Sequence, residues 1–393
     1  MNVTDTIAYV GVNDHDIDLF EGQYDVRENG MSYNSYVVFG TEKVAVTDTV
    51  DAHFVDEWFG NLDATLGGRT PDYLVVHHME PDHSAGIAAF MERYPSATVV
   101  SSAPAFKMMA AYFGTDFADR RLVVKDGATL DLGGRTLTFV GAPNVHWPEV
   151  LFSYDDKDKT LFSADGFGKF GALDVEDPEG WACEARRYYF GIVGKFGKNV
   201  QAVLSKAAGL DIARICPLHG PVLSENLGYY LGLYNTWSSY EPEDEGVTIA
   251  YSSVYGNTRA AALELAAALE KRDVTVSTFD LARDDMAEAV EDAFRYDRLV
   301  LASITYAGSI FPHMSTFIHT LAEHAYQNRR VALIESGSWA PTAAKVMRAE
   351  LEQMKNIEVA DTVVTVRGAL DDVSRAQIEA LADELTAAPA NAE

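Results

Sequence analysis

Before residue 240, apolar positions gather in short β-branched runs bounded by turn-forming residues. This pattern predicts strands at Ser35–Phe39, Lys43–Thr47, Tyr73–Val76, Thr98–Ser101, Thr136–Val140, Val150–Tyr154 and Thr160–Ser163. Helical spacing is interspersed, as over Ala85–Tyr94. The acidic segment Tyr240–Gly246, with Pro242 and Gly246, then breaks the periodicity and reads as a linker. Beyond it strand and helix patterns alternate in pairs: Val247–Tyr251 with Thr258–Lys271, and Val274–Phe279 with Asp284–Phe294. Arg298–Ser303 pairs with Ser309–Ala325, Arg330–Glu335 with Pro341–Met354, and Ala360–Val366 with Asp371–Ala387. Five such units predict one doubly wound parallel sheet. Two domains are expected, residues 1–245 and 247–393.

Composition narrows the classes. The 393 residues carry a net charge of −28, acidic on both sides of the linker, which argues against nucleic acid or an anionic membrane as partner. No apolar run approaches the roughly 20 residues that cross a bilayer. The N-terminus lacks a basic-then-apolar secretory pattern, so a soluble, cytoplasmic protein is expected. Cys183 and Cys216 are distant and form no Cys-x-x-Cys, so a rubredoxin-type iron site or zinc ribbon is not expected within this sequence. A buried, small apolar role is expected for Cys216.

The densest chemistry is His78-Met79-Glu80-Pro81-Asp82-His83, four metal-ligand types in six residues at the end of a predicted strand. His146, Asp165 and His219 follow in loop-like contexts. A lone His or Asp at a strand end is ordinarily a cap or a satisfied polar group. A packed core has no use for this many together, because burying unpaired charge is costly. Imidazoles and carboxylates in such number can hold two metal ions, with one carboxylate shared.

The order and spacing resemble the metallo-β-lactamase superfamily, whose His-x-His-x-Asp-His signature here carries Glu80 at its second histidine. An added carboxylate favours iron or manganese over zinc. His-x-Glu-x-Asp-His is similar to the motif of the flavodiiron proteins. That resemblance implies one iron on His78, Glu80 and His146, a second on Asp82, His83 and His219, and Asp165 between them. It implies an N-terminal metallo-β-lactamase-like αββα sandwich and a C-terminal flavodoxin-like sheet. His77 has no place in the motif and is expected to be structural.

A second, independent set of residues lies in the C-terminal half. Ser252-Ser253-Val254-Tyr255-Gly256-Asn257-Thr258 joins the first strand to the first helix, where backbone N–H groups and the helix dipole favour a phosphate. It has neither the Walker lysine nor the Gly-x-Gly-x-x-Gly turn, so a monophosphate fits, and the loop resembles the flavodoxin phosphate loop. Ile304-Thr305-Tyr306-Ala307-Gly308 and Ser336-Gly337-Ser338-Trp339-Ala340 follow the third and fourth strands. They would border the same crevice and offer aromatic surface to the flat ring of FMN.

The resemblance covers essentially the whole chain. It implies cofactors of FMN and two iron ions, and reduction of O₂ to water, of NO to N₂O, or both. It also implies an external donor such as rubredoxin, and a head-to-tail homodimer or a dimer of dimers. Arg329, Arg330 and Lys345 are candidates for a basic docking area, and Trp147, Tyr188 and Tyr189 for residues that orient or protonate bound species. Rival readings are a reduced-deazaflavin (F420H2) oxidase of the same family, a dizinc hydrolase fused to a flavodoxin, and an electron carrier whose metal domain is a scaffold.

Overall fold

The computed structural model describes residues 2–387; residues 388–393, assigned above to the second domain, lie outside it. Internal contacts divide the chain into two compact units that meet between Asn235 and Thr236.

In the first unit, strands β1 (Ile7–Tyr9), β2 (Tyr36–Phe39), β3 (Val44–Thr47), β4 (Tyr73–Val75), β5 (Thr98–Ser102) and β6 (Arg121–Val124) lie side by side in that order. The first two pairings are antiparallel and the rest parallel. A second sheet runs β7 (Thr129–Asp131), β8 (Thr136–Gly141), β9 (Leu151–Asp155), β10 (Thr160–Phe162) and β11 (Arg214–Cys216), with only the last pair parallel. One apolar core joins the two: Tyr36, Val38, Ala45, Val75 and Val100 from the first meet Leu137, Phe139, Leu151, Phe162 and Cys216 from the second. Every residue of β3 is buried, the signature of a strand covered on both faces. Helix α1 (Val55–Leu66) lays Trp58, Phe59, Leu62 and Leu66 inward. Two sheets face to face with helices outside are the αββα sandwich expected from the sequence.

In the second unit the strands are β12 (Asp244–Ser252), β13 (Val276–Asp280), β14 (Tyr296–Tyr306), β15 (Arg329–Ser336) and β16 (Ile357–Val366). They align in the order β13-β12-β14-β15-β16, all parallel, and the short strand Ser309–Ile310 folds back on β14. The strand order reverses at β12 and β14, so a crevice opens at their C-terminal ends. Val247, Ile249, Val300, Ala332 and Ile334 form its core with Leu265 and Leu269 of the first helix.

Two expectations are corrected. The acidic segment is not wholly a linker, since Asp244, Glu245 and Gly246 belong to β12. Arg295 pairs with Asp244 at 2.8 Å, and Gly246 N–H donates to Asp297 at 2.8 Å. Ile304, Thr305 and Tyr306 complete β14 instead of forming a loop. Strands β1, β6, β7 and β11 and the ribbon pairing Val12–Asp14 with Met31–Tyr33 were not predicted, their patterns being too short.

Candidate metal centre and flavin site

The ligand-type residues sit past the C-terminal ends of four strands. Beyond β4, Val76 N–H still bonds Val100 O at 2.9 Å before the chain turns. Asp48, in left-handed backbone at φ 51°, fixes that turn by accepting His77 N–H at 2.7 Å and His78 N–H at 3.3 Å. Glu80 then precedes the short helix α2 (Pro81–Ser84), whose Pro81 suits a first helical position and whose single turn carries Asp82 and His83. His146 lies between β8 and β9. Asp165 follows β10 through Ala164, at φ 46°, and His219 follows β11.

These seven residues gather into two groups, His78, Glu80, His146 and Asp165, and Asp82, His83 and His219. Within each group the ligand atoms lie within 4.8 Å of one another. In the first, Glu80 Oε2 stands 3.2 Å from His78 Nε2 and 3.0 Å from His146 Nε2. In the second, Asp82 Oδ2 stands 3.3 Å from His83 Nε2 and 3.4 Å from His219 Nε2. Asp165 faces both groups. Its Oδ2 is 3.1 Å from His78 Nε2 and 3.0 Å from His146 Nε2, while its Oδ1 is 3.4 Å from His83 and 3.8 Å from His219.

The imidazoles are aimed from behind. His78 Nδ1 donates to Glu149 at 2.8 Å, and His219 Nδ1 donates to Ser32 O at 2.7 Å. Each bond commits its Nδ1 proton outward and leaves the Nε2 lone pair pointing into the cluster. Asn34 Nδ2 bonds Pro217 O at 2.9 Å and Gly220 O at 2.8 Å, bracketing the turn that carries His219. Gly220 suits this turn at φ 78°, and a Cβ there would stand 2.5 Å from Lys169 Cγ, so a larger residue would be strained and would have to displace that side chain.

The charges are strongly coupled. Burial works against protonation of His78, His83 and His146, yet the surrounding carboxylates outweigh it and raise all three, His146 to about 9. Burial disfavours the charged forms of Glu80 and Asp165, and the imidazoles overcome it and hold both well below the carboxylate range. Asp82 and Asp165 are buried beside imidazole nitrogens, and among the described residues none of their four oxygens accepts a well-formed hydrogen bond. Buried carboxylates ringed by imidazoles whose extra protons a cation would displace are a donor set suited to metal ions.

Of the aromatic candidates, Trp147 packs edge-on to His78 at 5.2 Å and Tyr188 lies 5.5 Å from the His219 ring. Tyr189 turns to Tyr234 and Phe190. His77 is structural: Nδ1 meets Asp48 at 2.5 Å and Nε2 meets Ser153 at 2.7 Å. Sequence reading missed Asp48, Glu149, Ser32 and Asn34, and also Glu21, whose carboxyl is pushed up to about 7 by burial and by nearby Glu80. The docking trio is corrected. Arg329 is buried, donating to Tyr296 O at 2.8 Å and Tyr240 O at 2.7 Å. Arg330 faces Glu384 and Glu358, so only Lys345 of the three is exposed.

In the second unit the three predicted segments meet at the ends of β12, β14 and β15. Gly256, at φ 91°, caps helix α5 (Asn257–Glu270), and its N–H bonds Ser253 Oγ at 3.1 Å. Thr258 is buried with its hydroxyl 2.7 Å from Ser336 Oγ, tying the first segment to the third. Thr305 Oγ1 accepts the N–H groups of Thr342 and Ala343 at 2.9 and 3.2 Å, tying the second segment to the chain just beyond the third. Ser252 Oγ is buried with no partner. Val254, Asn257, Ala307, Gly308, Ser338 and Ala340 line the rim with Gly337 and Ile304 half-buried behind. Tyr255 is 90% exposed, Trp339 89% and Tyr306 49%. Three large rings left in solvent at one strand edge form a surface that calls for a flat apolar partner.

Comparison with known proteins bears on the family and the fold. The ODP family β-lactamase profile matches residues 31–220, and a flavodoxin domain profile matches residues 248–375. An anaerobic nitric oxide reductase flavorubredoxin of Salmonella arizonae is 29% identical over 360 residues, 89% of this chain and 74% of that protein. A putative diflavin flavoprotein A 2 of Synechocystis is 30% identical over 329 residues, where this chain spans 56% of its length. Among solved structures, rubredoxin oxygen:oxidoreductase of Desulfovibrio gigas superposes with a TM-score of 0.90 at 24% identity, covering 98% of this chain and 97% of the other. The flavodiiron protein of Giardia intestinalis gives 0.91 at 24%, covering 98% and 95%. At that identity these structures speak for the fold alone. No helix among the described residues is long and apolar enough to cross a membrane.

Proposed function

The chain belongs to the flavodiiron proteins, and we propose that it reduces dioxygen to water, nitric oxide to nitrous oxide, or both, at a pair of iron ions supplied with electrons through FMN. The observation that carries this reading is Asp165, whose two buried oxygens face two separate groups of imidazoles and carboxylates. His78, Glu80 and His146 would hold one ion and Asp82, His83 and His219 the other, with Asp165 shared. Bound there, the ions would supply redox chemistry and an open position for a diatomic substrate, and FMN would supply electrons singly or in pairs.

The protein's own residues do the rest. Glu149 and Ser32 hold His78 and His219 in the tautomer that presents Nε2. Trp147 covers His78 and His146 edge-on and keeps water off their outer faces. Burial and the negative charge of Asp165 hold the Tyr188 phenol far above its ordinary pKa, so it keeps its proton beside the centre. Backbone N–H groups at the start of α5, with Ser252 and Ser253, would take the FMN phosphate, and Tyr255, Tyr306 and Trp339 its ring. The reading includes an external donor such as rubredoxin and a head-to-tail homodimer.

The test is a metal assay with gas turnover. Iron near two per chain, FMN near one, and consumption of O₂ or NO by the reduced protein are expected. Zinc in place of iron, with hydrolytic activity, would overturn the reading, and comparison of the two gases ranks the substrates. A finer expectation concerns Glu149. Glu149→Gln keeps the shape but loses the charge that fixes the His78 proton, so iron affinity should fall about 10–100-fold. Iron retention against a competing chelator, equal to that of the parent, would mean that Glu149 does not orient the ligand.

A further inference from the structure

A series of oxidisable rings leads away from the metal centre to solvent. Tyr234 accepts the N–H of Phe167 at 2.5 Å and stacks on its ring at 4.0 Å, two positions beyond Asp165. Tyr189, next to Tyr188, lies 5.1 Å from Tyr234. Tyr234 in turn is 6.4 Å from Trp181, and Trp181 is 4.7 Å from Tyr230. Tyr230 touches Tyr229 at 5.4 Å, and Tyr229 is 46% exposed. Tyr230 and Tyr234 stand four residues apart on helix α4 (Leu227–Ser239), on one face, directed at Trp181 of helix α3 (Trp181–Tyr188). Between the two sheets the core is largely aliphatic and phenylalanine, which packs without burying hydroxyls. Besides their polar O–H or N–H, phenols and indoles differ from those residues in giving up an electron to a strong oxidant.

We propose that Tyr189, Tyr234, Trp181, Tyr230 and Tyr229 form an escape path for oxidising equivalents, protecting the metal ligands when an oxidant reaches the pocket and flavin electrons are short. This rests on the function proposed above. The oxidant is a peroxide, or dioxygen incompletely reduced. One electron moves inward from Tyr229 or Tyr230 through Trp181 and Tyr234 and reduces the oxidant by one. The exposed phenol gives its proton to water and is left as a neutral phenoxyl radical, which an external thiol restores by donating a hydrogen atom. Without the path, the missing electron is taken from Met79 or Trp147 beside the ligands.

The experiment treats full-length, iron-loaded, oxidised protein with hydrogen peroxide in the presence of a nitroso spin trap, and maps adducts by peptide mass spectrometry. Adducts at Tyr229 and Tyr230 are expected. Trp181→Phe should reduce them several-fold and raise oxidation of Met79 and Trp147 correspondingly. Should that variant misfold, Tyr230→Phe, on the half-exposed side of α4, should reduce the Tyr229 adduct in the same way. An adduct pattern unchanged by the variants would overturn the proposal. So would equal labelling of the metal-free chain, which would place the oxidant in solvent. A chain that takes up no iron would overturn the function itself, and this path with it.

Discussion

Asp165→Asn is expected to lower iron from two per chain to one or fewer and to reduce gas turnover at least about 100-fold, while FMN content stays unchanged. The side chain keeps its volume, so the change is electrostatic. A unit charge about 4 Å from another contributes roughly 4 kcal/mol at the effective dielectric of a partly buried site, and a divalent ion scales that upward. Asp165 makes this contribution to both groups, since each of its oxygens faces a different pair of imidazoles at 3.0–3.8 Å. The amide offers one neutral carbonyl acceptor and an NH2 group with two N–H donors, which would point at atoms that should bind a cation. Glu80 and Asp82 remain, one carboxylate per group, with nothing between two mutually repelling cations. Iron is measured by a chelate assay after gel filtration and flavin by absorbance, with circular dichroism to confirm the fold. Full iron and full turnover in the variant would show that Asp165 is not shared.

Much of this centre was legible because its ligands are brought together by short stretches of chain. His78, Glu80, Asp82 and His83 are one strand end and one helical turn, so their chemistry is written in six consecutive residues. His146, Asp165 and His219 were readable only as residues of the right type in loop-like contexts, the first two following strand-like runs. The residues that aim them were not legible. Glu149 reaches His78 across 71 positions and Ser32 reaches His219 across 187, and no local periodicity encodes such a contact. Asp48 went unread; that its carboxylate locks the His77–His78 backbone follows only from the parallel pairing of β3 with β4. Charge misled in two places. The acidic stretch before Val247 suggested solvent, but Asp244 is matched by Arg295 and continues the sheet. Arg329 suggested a docking surface, but its guanidinium is spent on backbone carbonyls inside the second unit.

The second large effect is expected at the other cofactor. Gly256→Val should yield protein with little or no FMN and a full complement of iron. Gly256 sits at φ 91° as the cap of α5, a conformation that costs a branched residue about 1–2 kcal/mol. Apart from its immediate chain neighbours, no described atom lies within 4 Å of a Cβ built there, so the substitution meets open space and the unit should fold. That open space lies over the first N–H groups of the helix, where a phosphate would rest, and the two methyl groups of valine would occupy it. Gly256→Ala separates the two effects. If the free loop relaxes, alanine makes binding repay the backbone cost alone, roughly a tenfold loss of affinity, whereas valine adds direct exclusion. Donor-driven turnover should follow flavin content in both variants. Reduction of the irons by a small chemical reductant, followed spectroscopically, should be unchanged, because the metal ligands belong entirely to the first unit. Valine protein that purifies with full flavin would place the phosphate elsewhere, and loss of iron together with flavin would mean that the two sites do not fold independently.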